Sequence, residues 1–182
     1  MLHSCCAPCS GYPVAVLSEN FKVELYFSNS NLDTLEEYNR RLASIELLSA
    51  RLGLNYSVDT YNPKAWELAV LGLEQEPERG KRCEKCFEYR LERAFEFASS
   101  NGIKYLTTTL SVAPYKDSKM IFRVANALAS KYKVEFLSLD FKKDNGYIKT
   151  KELAKLHGLY IQNYCGCIYS LRDREQRKEK NL

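Results

Sequence analysis

The chain has 182 residues, a length that suits one domain and is short for two. It is 45% hydrophobic and 27% charged, with only 8 Gly and 5 Pro, which excludes a disordered, collagen-like or low-complexity polymer. No apolar run reaches the roughly 18 residues that a membrane-spanning helix needs, and the N-terminus lacks the pattern of a secretory signal. We therefore expect a cytoplasmic protein without a membrane partner. Its net charge of +4 permits contact with a polyanion without requiring it.

Segments typical of strands alternate with segments typical of helices along the chain. Short apolar or β-branched runs predict strands at 2–4, 23–27, 55–60, 105–110 and 134–139. Apolar residues spaced by three or four predict the intervening helices at 34–52, 63–71, 84–100, 118–132 and 150–157. Asp33 is the expected N-cap of the first of these helices, with Glu36 completing a capping box, and Asp117 or Ser118 is expected to cap the fourth.

This alternation predicts βαβ units with right-handed crossovers. There is no internal repeat and no linker rich in Pro, Gly or Ser. Residues 1–182 are therefore predicted to form a single Rossmann-like α/β domain, with a mostly parallel sheet and helices on both faces. The charged tail at about 172–182 is predicted to be a solvated helix, whose basic residues could neutralise RNA phosphates.

Seven cysteines in three tight clusters are the most informative feature of the sequence. Their positions are 5, 6, 9, 83, 86, 165 and 167. An odd number of thiols in a reducing compartment argues against a framework of structural disulfides and favours metal or redox chemistry. The first cluster follows the predicted first strand, and open parallel sheets bind their ligands at the carboxyl ends of strands.

Each cluster has a spacing that suits metal or redox chemistry. Cys5 and Cys6 are adjacent and can hardly bond to each other without strain, so they favour metal ligation. Cys83 and Cys86 open a predicted helix, whose dipole favours thiolates that face one metal. The Cys-Gly-Cys segment at 165–167 could ligate one centre or close a strained, easily reduced disulfide.

The thiols also permit a simpler interpretation, a structural zinc site of four thiolates, although that would leave three thiols unexplained. His3 is expected to be a hydrogen-bonded structural residue. Three tyrosines are candidates for base stacking or proton donation, namely Tyr115, Tyr164 and Tyr169. The candidate phosphate contacts are Arg41, Lys81, Arg82 and Lys116.

Four motifs in a fixed order carry a resemblance to a known family. They are His-Ser-Cys-Cys-Ala-Pro-Cys-Ser at 3–10, Gly-Lys-Arg-Cys-Glu-Lys-Cys-Phe at 80–87 with Tyr-Arg-Leu at 89–91, Thr-Thr-Thr-Leu-Ser at 107–111 with Pro114 and Lys116, and Tyr-Cys-Gly-Cys-Ile-Tyr-Ser at 164–170. A Cys-x-x-Cys motif alone is a weak signal, but this ordered set extends over nearly the whole chain and is highly specific. The sequence resembles the epoxyqueuosine reductases of the QueH family.

The resemblance implies a fold, an activity and cofactors. Members of this family reduce epoxyqueuosine at the wobble position of tRNA anticodons to queuosine, without cobalamin. Their fold is similar to that of adenine-nucleotide hydrolase-like (HUP) domains. For this chain the resemblance implies a tRNA substrate that carries epoxyqueuosine, a 4Fe–4S cluster with an additional mononuclear iron, and an external electron donor that the sequence does not identify.

The resemblance also implies roles for individual residues. It places the cluster on Cys5, Cys6, Cys83 and Cys86 and the additional iron on Cys9 and Asp117. The pair of Cys165 and Cys167 is then the expected redox-active dithiol, and the expected catalytic set is Cys9, Cys165, Cys167 and Tyr115. A cluster on Cys83, Cys86, Cys165 and Cys167 meets the same four-thiolate requirement. Two other function classes compete, a metal-independent thiol–disulfide oxidoreductase and a zinc-stabilised RNA-binding module.

Overall fold

The computed structural model describes residues 1–179 and shows strands and helices in alternation. The strands are β1 (Leu2–Ser4), β2 (Glu24–Phe27), β3 (Asn55–Val58), β4 (Tyr105–Thr108) and β5 (Glu135–Phe136). The α-helices are α1 (Pro8–Leu17), α2 (Leu35–Leu52), α3 (Pro63–Ala69), α4 (Lys81–Ser100), α5 (Ser118–Tyr132), α6 (Gly146–Leu156) and α7 (Ile168–Glu179), and a 3-10 turn spans Thr109–Val112. None of the helices within residues 1–179 combines the length and the hydropathy of a membrane-spanning segment.

The five strands form one parallel sheet in the order β3-β2-β1-β4-β5. In its register, Leu2 on β1 lies opposite Leu25 on β2 and Thr107 on β4. The chain runs from β1 out to β3 and returns to β4 on the other side of β1, so right-handed crossovers place α1 and α2 on one face and α4 and α5 on the other. The predicted Rossmann-like α/β class is confirmed. Because the strand order reverses beside β1, the crevice at the carboxyl ends of β1 and β4 is the place where such sheets bind ligands.

Helices α4 and α5 pack against each other over one face of the sheet. Their buried faces contain the apolar residues that the spacing of three or four predicted, namely Phe87, Leu91, Ala94 and Ala98 on α4 and Ile121, Val124 and Leu128 on α5. Since burial of apolar surface is the main stabilising term, this packing fixes the start of α4, where two of the cysteines lie.

The N-cap of α2 lies one residue later than the sequence indicates. Thr34 Oγ1 accepts a hydrogen bond from the Glu37 backbone N–H at 3.1 Å, and Thr34 has the extended backbone of a cap. Asp33 was the expected cap, but its carboxylate accepts from the Tyr164 hydroxyl at 2.7 Å. The carboxylate that the local sequence pattern assigned to the helix cap therefore binds a residue far away in the sequence instead.

The predicted strand at 105–110 ends early, at Thr108. The Thr108 hydroxyl oxygen accepts from the Leu110 backbone N–H at 3.1 Å, and the Ser111 hydroxyl donates to the Thr108 carbonyl at 3.3 Å. Such local side-chain bonds compete with a sheet ladder and turn the backbone. The result is the 3-10 turn, which follows β4 directly.

Other boundaries shift by a few residues. Helix α4 begins at Lys81 rather than at 84, and α6 begins at Gly146 rather than at 150. The charged tail is helical as predicted as far as Glu179, and residues 180–182 lie outside the described range.

Candidate active site

The first thiol cluster lies at the carboxyl end of β1. Cys5 and Cys6 directly follow the strand, and Cys9 lies in the first turn of α1. Their three sulfur atoms all lie within 4.8 Å of one another, and the Cys5 and Cys6 sulfurs are 3.7 Å apart. A tetrahedral metal ion with metal–sulfur bonds near 2.3 Å holds its sulfurs about 3.8 Å apart. This cluster could therefore bind a metal ion with little rearrangement.

Hydrogen bonds and nearby cations favour a thiolate at Cys5. The thiols of Cys6 and Cys9 donate to it and lower its pKa well below the usual value, in spite of burial. The same donation raises the pKa of Cys6 to about 12. Lys116 and Arg90 add positive charge nearby. One negative charge is thus shared among three sulfurs, and thiolate is the form in which cysteine binds metals.

Two polar residues hold the first cluster in place. The Cys5 backbone N–H donates to Thr109 Oγ1 at 3.0 Å, and the Thr109 hydroxyl donates to the Cys5 sulfur at 3.3 Å. Gln162 Nε2 donates to the Cys6 sulfur at 2.8 Å. Thr109 belongs to one of the quoted motifs, whereas no sequence pattern singles out Gln162.

The second group of thiols consists of Cys83, Cys86, Cys165 and Cys167. It brings together the start of α4 and the segment before α7. Cys83 and Cys86 lie in the first two turns of α4, and Cys86 packs with Cys167 and Trp66 in a small apolar cluster separate from the main core. Burial, together with the charge of Cys165, raises the pKa of Cys83 to about 11 and that of Cys86 to about 12. These buried sulfurs are therefore protonated unless a cation joins them.

A buried ion pair and a glycine fix the shape of the Cys-Gly-Cys segment. Arg41 Nη1 donates to the Cys165 carbonyl at 3.0 Å and pairs with Glu37 at 2.7 Å, both side chains being almost fully buried. Gly166 has a φ of +121°, and a Cβ there would lie 2.3 Å from Leu32 Cδ2. A side chain at 166 would displace the segment that presents both cysteines.

A cavity of about 530 Å³ brings the clusters together. The cysteines that line it are Cys5, Cys9, Cys83, Cys86, Cys165 and Cys167. Its volume lies in the range of small-molecule sites in proteins. All seven cysteines are unpaired, and the redox-active disulfide stays a prediction.

The loop before α5 lines the same cavity with Tyr115, Lys116 and Asp117. The Tyr115 side chain is 66% exposed. Asp117 Oδ1 accepts from the backbone N–H groups of Lys119 at 2.8 Å and Met120 at 3.3 Å, which confirms the predicted cap of α5. Ligation of an iron by Asp117 stays a prediction.

Two other candidate tyrosines make structural contacts. The Tyr164 ring lines the cavity, and its hydroxyl donates to Asp33. The Tyr169 ring contacts two guanidinium groups, with Arg82 at 4.6 Å and Arg172 at 5.6 Å from its ring centroid. The contact with Arg82 connects α4 to α7, whereas Arg172 and Tyr169 both belong to α7.

The prediction of phosphate contacts is wrong for Arg41 and Arg82. Their side chains are only 3% and 2% exposed, and both donate to backbone carbonyls, Arg82 to that of Glu74 at 3.0 Å. Buried carbonyls require such partners, and the guanidinium donors are used for that purpose. Lys81 is exposed and Lys116 lines the cavity, so these two stay candidates.

The structure confirms that His3 is a structural residue, and it shows that the buried side chain of an arginine lies nearby. His3 is fully buried, with Nδ1 at 2.8 Å from Thr108 Oγ1 and Nε2 at 3.3 Å from the Ser28 carbonyl, and burial lowers its pKa to about 3. Arg90 donates to the same Ser28 carbonyl and to Asn29 Oδ1. Arg90 lies within one of the four sequence motifs, but nothing in that motif indicates this buried role.

The fold and the site together define a class of protein. A parallel α/β sheet of Rossmann type carries a cysteine-rich cavity at its ligand-binding edge, beside three thiols spaced to hold a metal ion. Residues 1–173 match the family described as "Epoxyqueuosine reductase QueH", and the chain belongs to this family.

Curated relatives agree with this family membership. A protein from Streptococcus pyogenes serotype M1 is 35% identical over 178 residues, covering 94% of this chain and 70% of the relative. Another from Haemophilus influenzae is 36% identical over 182 residues, covering 99% and 74%. A third from Thermotoga maritima is 33% identical over 183 residues, covering 97% and 92%. All three are named "Epoxyqueuosine reductase QueH".

Proposed function

We propose that this chain reduces epoxyqueuosine in tRNA to queuosine. One observation carries the proposal beyond the family match. Three segments far apart in the sequence bring six cysteines to the wall of one cavity at the ligand-binding edge of the sheet. The volume of that cavity suits a group of the size of a modified base.

The proposed reaction consumes electrons, and no amino-acid side chain can donate them as a hydride. Conversion of an epoxide to an alkene breaks two C–O bonds, releases the oxygen as water and consumes two electrons and two protons. An external reductant must supply the electrons through a cofactor. When bound, a 4Fe–4S cluster would supply single electrons and an adjacent iron would supply a Lewis acid.

The two groups of thiols differ in compactness and so suit different metal groups. The trio of Cys5, Cys6 and Cys9, with all sulfurs within 4.8 Å, suits a single iron. A cubane cluster spreads its four ligand sulfurs further apart, because each sulfur binds a different iron. We therefore place the cluster on Cys83, Cys86, Cys165 and Cys167. The other assignment, with Cys5, Cys6, Cys83 and Cys86, would divide the compact trio.

The cavity also contains groups that suit charge stabilisation and proton transfer. Burial by itself would lower the pKa of Lys116, but negative charge on the sulfurs of Cys5 and Cys165 raises it, so this side chain stays cationic. A cation in the cavity stabilises negative charge on an oxygen whose C–O bond is breaking. We assign proton donation to Tyr115, whose phenol is exposed at the cavity.

Anaerobic reconstitution with iron and sulfide, followed by metal and sulfide analysis and an assay on epoxyqueuosine tRNA, tests the proposal. We expect a brown protein with about four or more irons per chain that forms queuosine when a reductant is supplied. A colourless protein that holds one zinc after reconstitution would instead support an RNA-binding module. Activity without any metal would support a thiol–disulfide oxidoreductase.

Two matched substitutions test the placement of the ligands. Cys165→Ser should lose the sulfide-containing cluster, whereas Cys9→Ser should keep its sulfide and lose about one iron. Both should lose turnover. If Cys165→Ser retains the full complement of iron and sulfide, the cluster lies elsewhere, and the set of Cys5, Cys6, Cys83 and Cys86 is supported.

A further inference from the structure

Trp66, the one tryptophan of the chain, packs next to the second group of thiols. It belongs to α3, whose N-cap is Asn62, with Asn62 Oδ1 accepting from the Ala65 backbone N–H at 3.1 Å. The indole is only 3% exposed and packs against Cys86 and Cys167 in the small apolar cluster. It also lines the cavity that the thiols share.

The indole N–H of Trp66 is buried without a hydrogen-bond partner among the described residues. Buried N–H groups are rarely left in this state, since the loss of hydration is not compensated. Of the two thiols in this small apolar cluster, that of Cys86 is the one with which the indole N–H interacts. A neutral thiol is a weak acceptor. A charged sulfur is a much better one.

We infer that Trp66 Nε1–H donates a hydrogen bond to the sulfur of Cys86 once that sulfur is bound to a metal centre, and that this bond raises the reduction potential of the centre. The inference rests on the proposed function, in which Cys86 is a cluster ligand under either assignment. A hydrogen bond to a ligating thiolate withdraws electron density from it and stabilises the more negative, reduced state. Trp66 is thus a positioning residue, which acts through Cys86.

The single tryptophan makes the bond directly observable. In protein labelled with ¹⁵N and loaded with ¹¹³Cd²⁺, one indole N–H signal is expected. We expect this signal to move downfield relative to metal-free protein and to show coupling to the cadmium through the sulfur. An indole signal that stays unchanged while cadmium is bound to Cys86, as shown by coupling of ¹¹³Cd to the Cβ protons of Cys86, would overturn the inference without touching the proposed reaction.

Redox titration of the iron-loaded protein gives a second, independent readout. Trp66→Phe keeps an aromatic ring but removes the donor, so its midpoint potential should be lower than that of the wild type. Tyr169→Phe is the matched control, because Tyr169 packs on the same cluster, with ring centroids 6.1 Å from Trp66, and donates nothing to Cys86 in the described structure. Its potential should equal the wild-type value.

The outcomes separate this inference from the proposed function. Equal potentials for wild type and Trp66→Phe would contradict the role of the indole, while leaving epoxyqueuosine reduction in place. A wild-type chain that assembles no iron–sulfur cluster would overturn the cofactor proposal and the role of Trp66 with it. If Trp66→Phe fails to fold, the cadmium experiment on the wild-type chain still decides the question.

Discussion

At the scale of single residues, the site depends on a glycine that no other residue can replace without strain. Gly166 combines a φ of +121° with close contacts on two sides, since an added Cβ would lie 2.3 Å from Leu32 Cδ2 and 3.1 Å from Arg41. Arg41 in turn holds the carbonyl of Cys165. Backbone conformation and packing therefore jointly select glycine between the two cysteines.

Gly166→Ala should destabilise the fold by about 2 to 4 kcal/mol, because strain of the backbone adds to the clash. It should also weaken metal binding, since the carbonyls and thiols of the segment shift. Gly158→Ala is the matched control, because Gly158 has a φ of +60° but nothing within 4 Å of an added Cβ. The control should lose only about 1 to 2 kcal/mol in urea unfolding. Equal losses in the two variants would contradict the packing argument.

At the scale of elements, one carboxylate joins two strands and a helix. Asp59 follows β3 and accepts from the Ser28 hydroxyl after β2 at 2.7 Å and from Arg93 on α4 at 2.6 Å. Burial alone would raise the pKa of Asp59, but the bonds from Arg93 and Ser28 outweigh it and hold the pKa below the usual 3.8. The carboxylate form is therefore part of the connection.

Asp59→Asn should lower the free energy of unfolding at pH 7 by about 1 to 2 kcal/mol, a figure reduced because Arg93 is 37% exposed. A depressed pKa in the folded state means that the contribution of Asp59 is fully present above pH 3.8 and is lost as the pH falls through the lower, folded-state value. The difference between wild type and variant should therefore shrink at acid pH. Urea unfolding at several pH values measures it.

Glu36→Gln is the control for this pH dependence. Glu36 also pairs with an arginine, Arg40, but both side chains are largely exposed, at 74% and 55%. Exposed pairs contribute little, so this variant should stay within about 0.5 kcal/mol of the wild type at every pH. A difference for Asp59→Asn that persists unchanged into strong acid would show that its charge is not the cause.

The elements were largely predictable from the sequence, whereas the contacts between distant elements were not. Spacing of apolar residues gave the buried face of α4, including Phe87 and Leu91, because helical period and burial are local properties. The 3-10 turn at Thr109–Val112 was missed, since three threonines favour a strand until a hydroxyl captures a backbone N–H. The sequence indicated phosphate contacts for Arg41 and Arg82, because nothing in their neighbours along the chain shows that they bind backbone carbonyls.

At the scale of the whole molecule, the net charge of +4 matters less for RNA binding than the places where the basic residues lie. Several basic residues line the thiol cavity at the carboxyl edge of the sheet, among them Arg79, Lys116, Lys151 and Arg174. Under the proposed function, the anticodon phosphates would meet this edge. The amino edge carries lysines as well, among them Lys104, directly before β4.

Lys151→Gln should weaken tRNA binding and reduce the slope of log K against log salt by about 0.7, the value for one lost phosphate contact on a single strand. Lys104→Gln is the matched control, since both lysines are exposed and lie over a tyrosine ring, Lys151 at 4.7 Å from Tyr147 and Lys104 at 5.0 Å from Tyr105. Filter binding at several salt concentrations compares them. Equal slopes for the two variants would contradict docking at the cavity.

The origin of the thiols in three remote segments has a consequence for biosynthesis. A nascent chain that has been made only as far as α5 holds the cysteines at 5–9 and 83–86 but neither Cys165 nor Cys167. The complete set of donors exists only after contacts between residues more than 150 positions apart have formed, such as that between Gln162 and Cys6. Loading of metal is therefore expected to follow translation of nearly the whole chain, and iron added to a stalled, shorter chain should find an incomplete site.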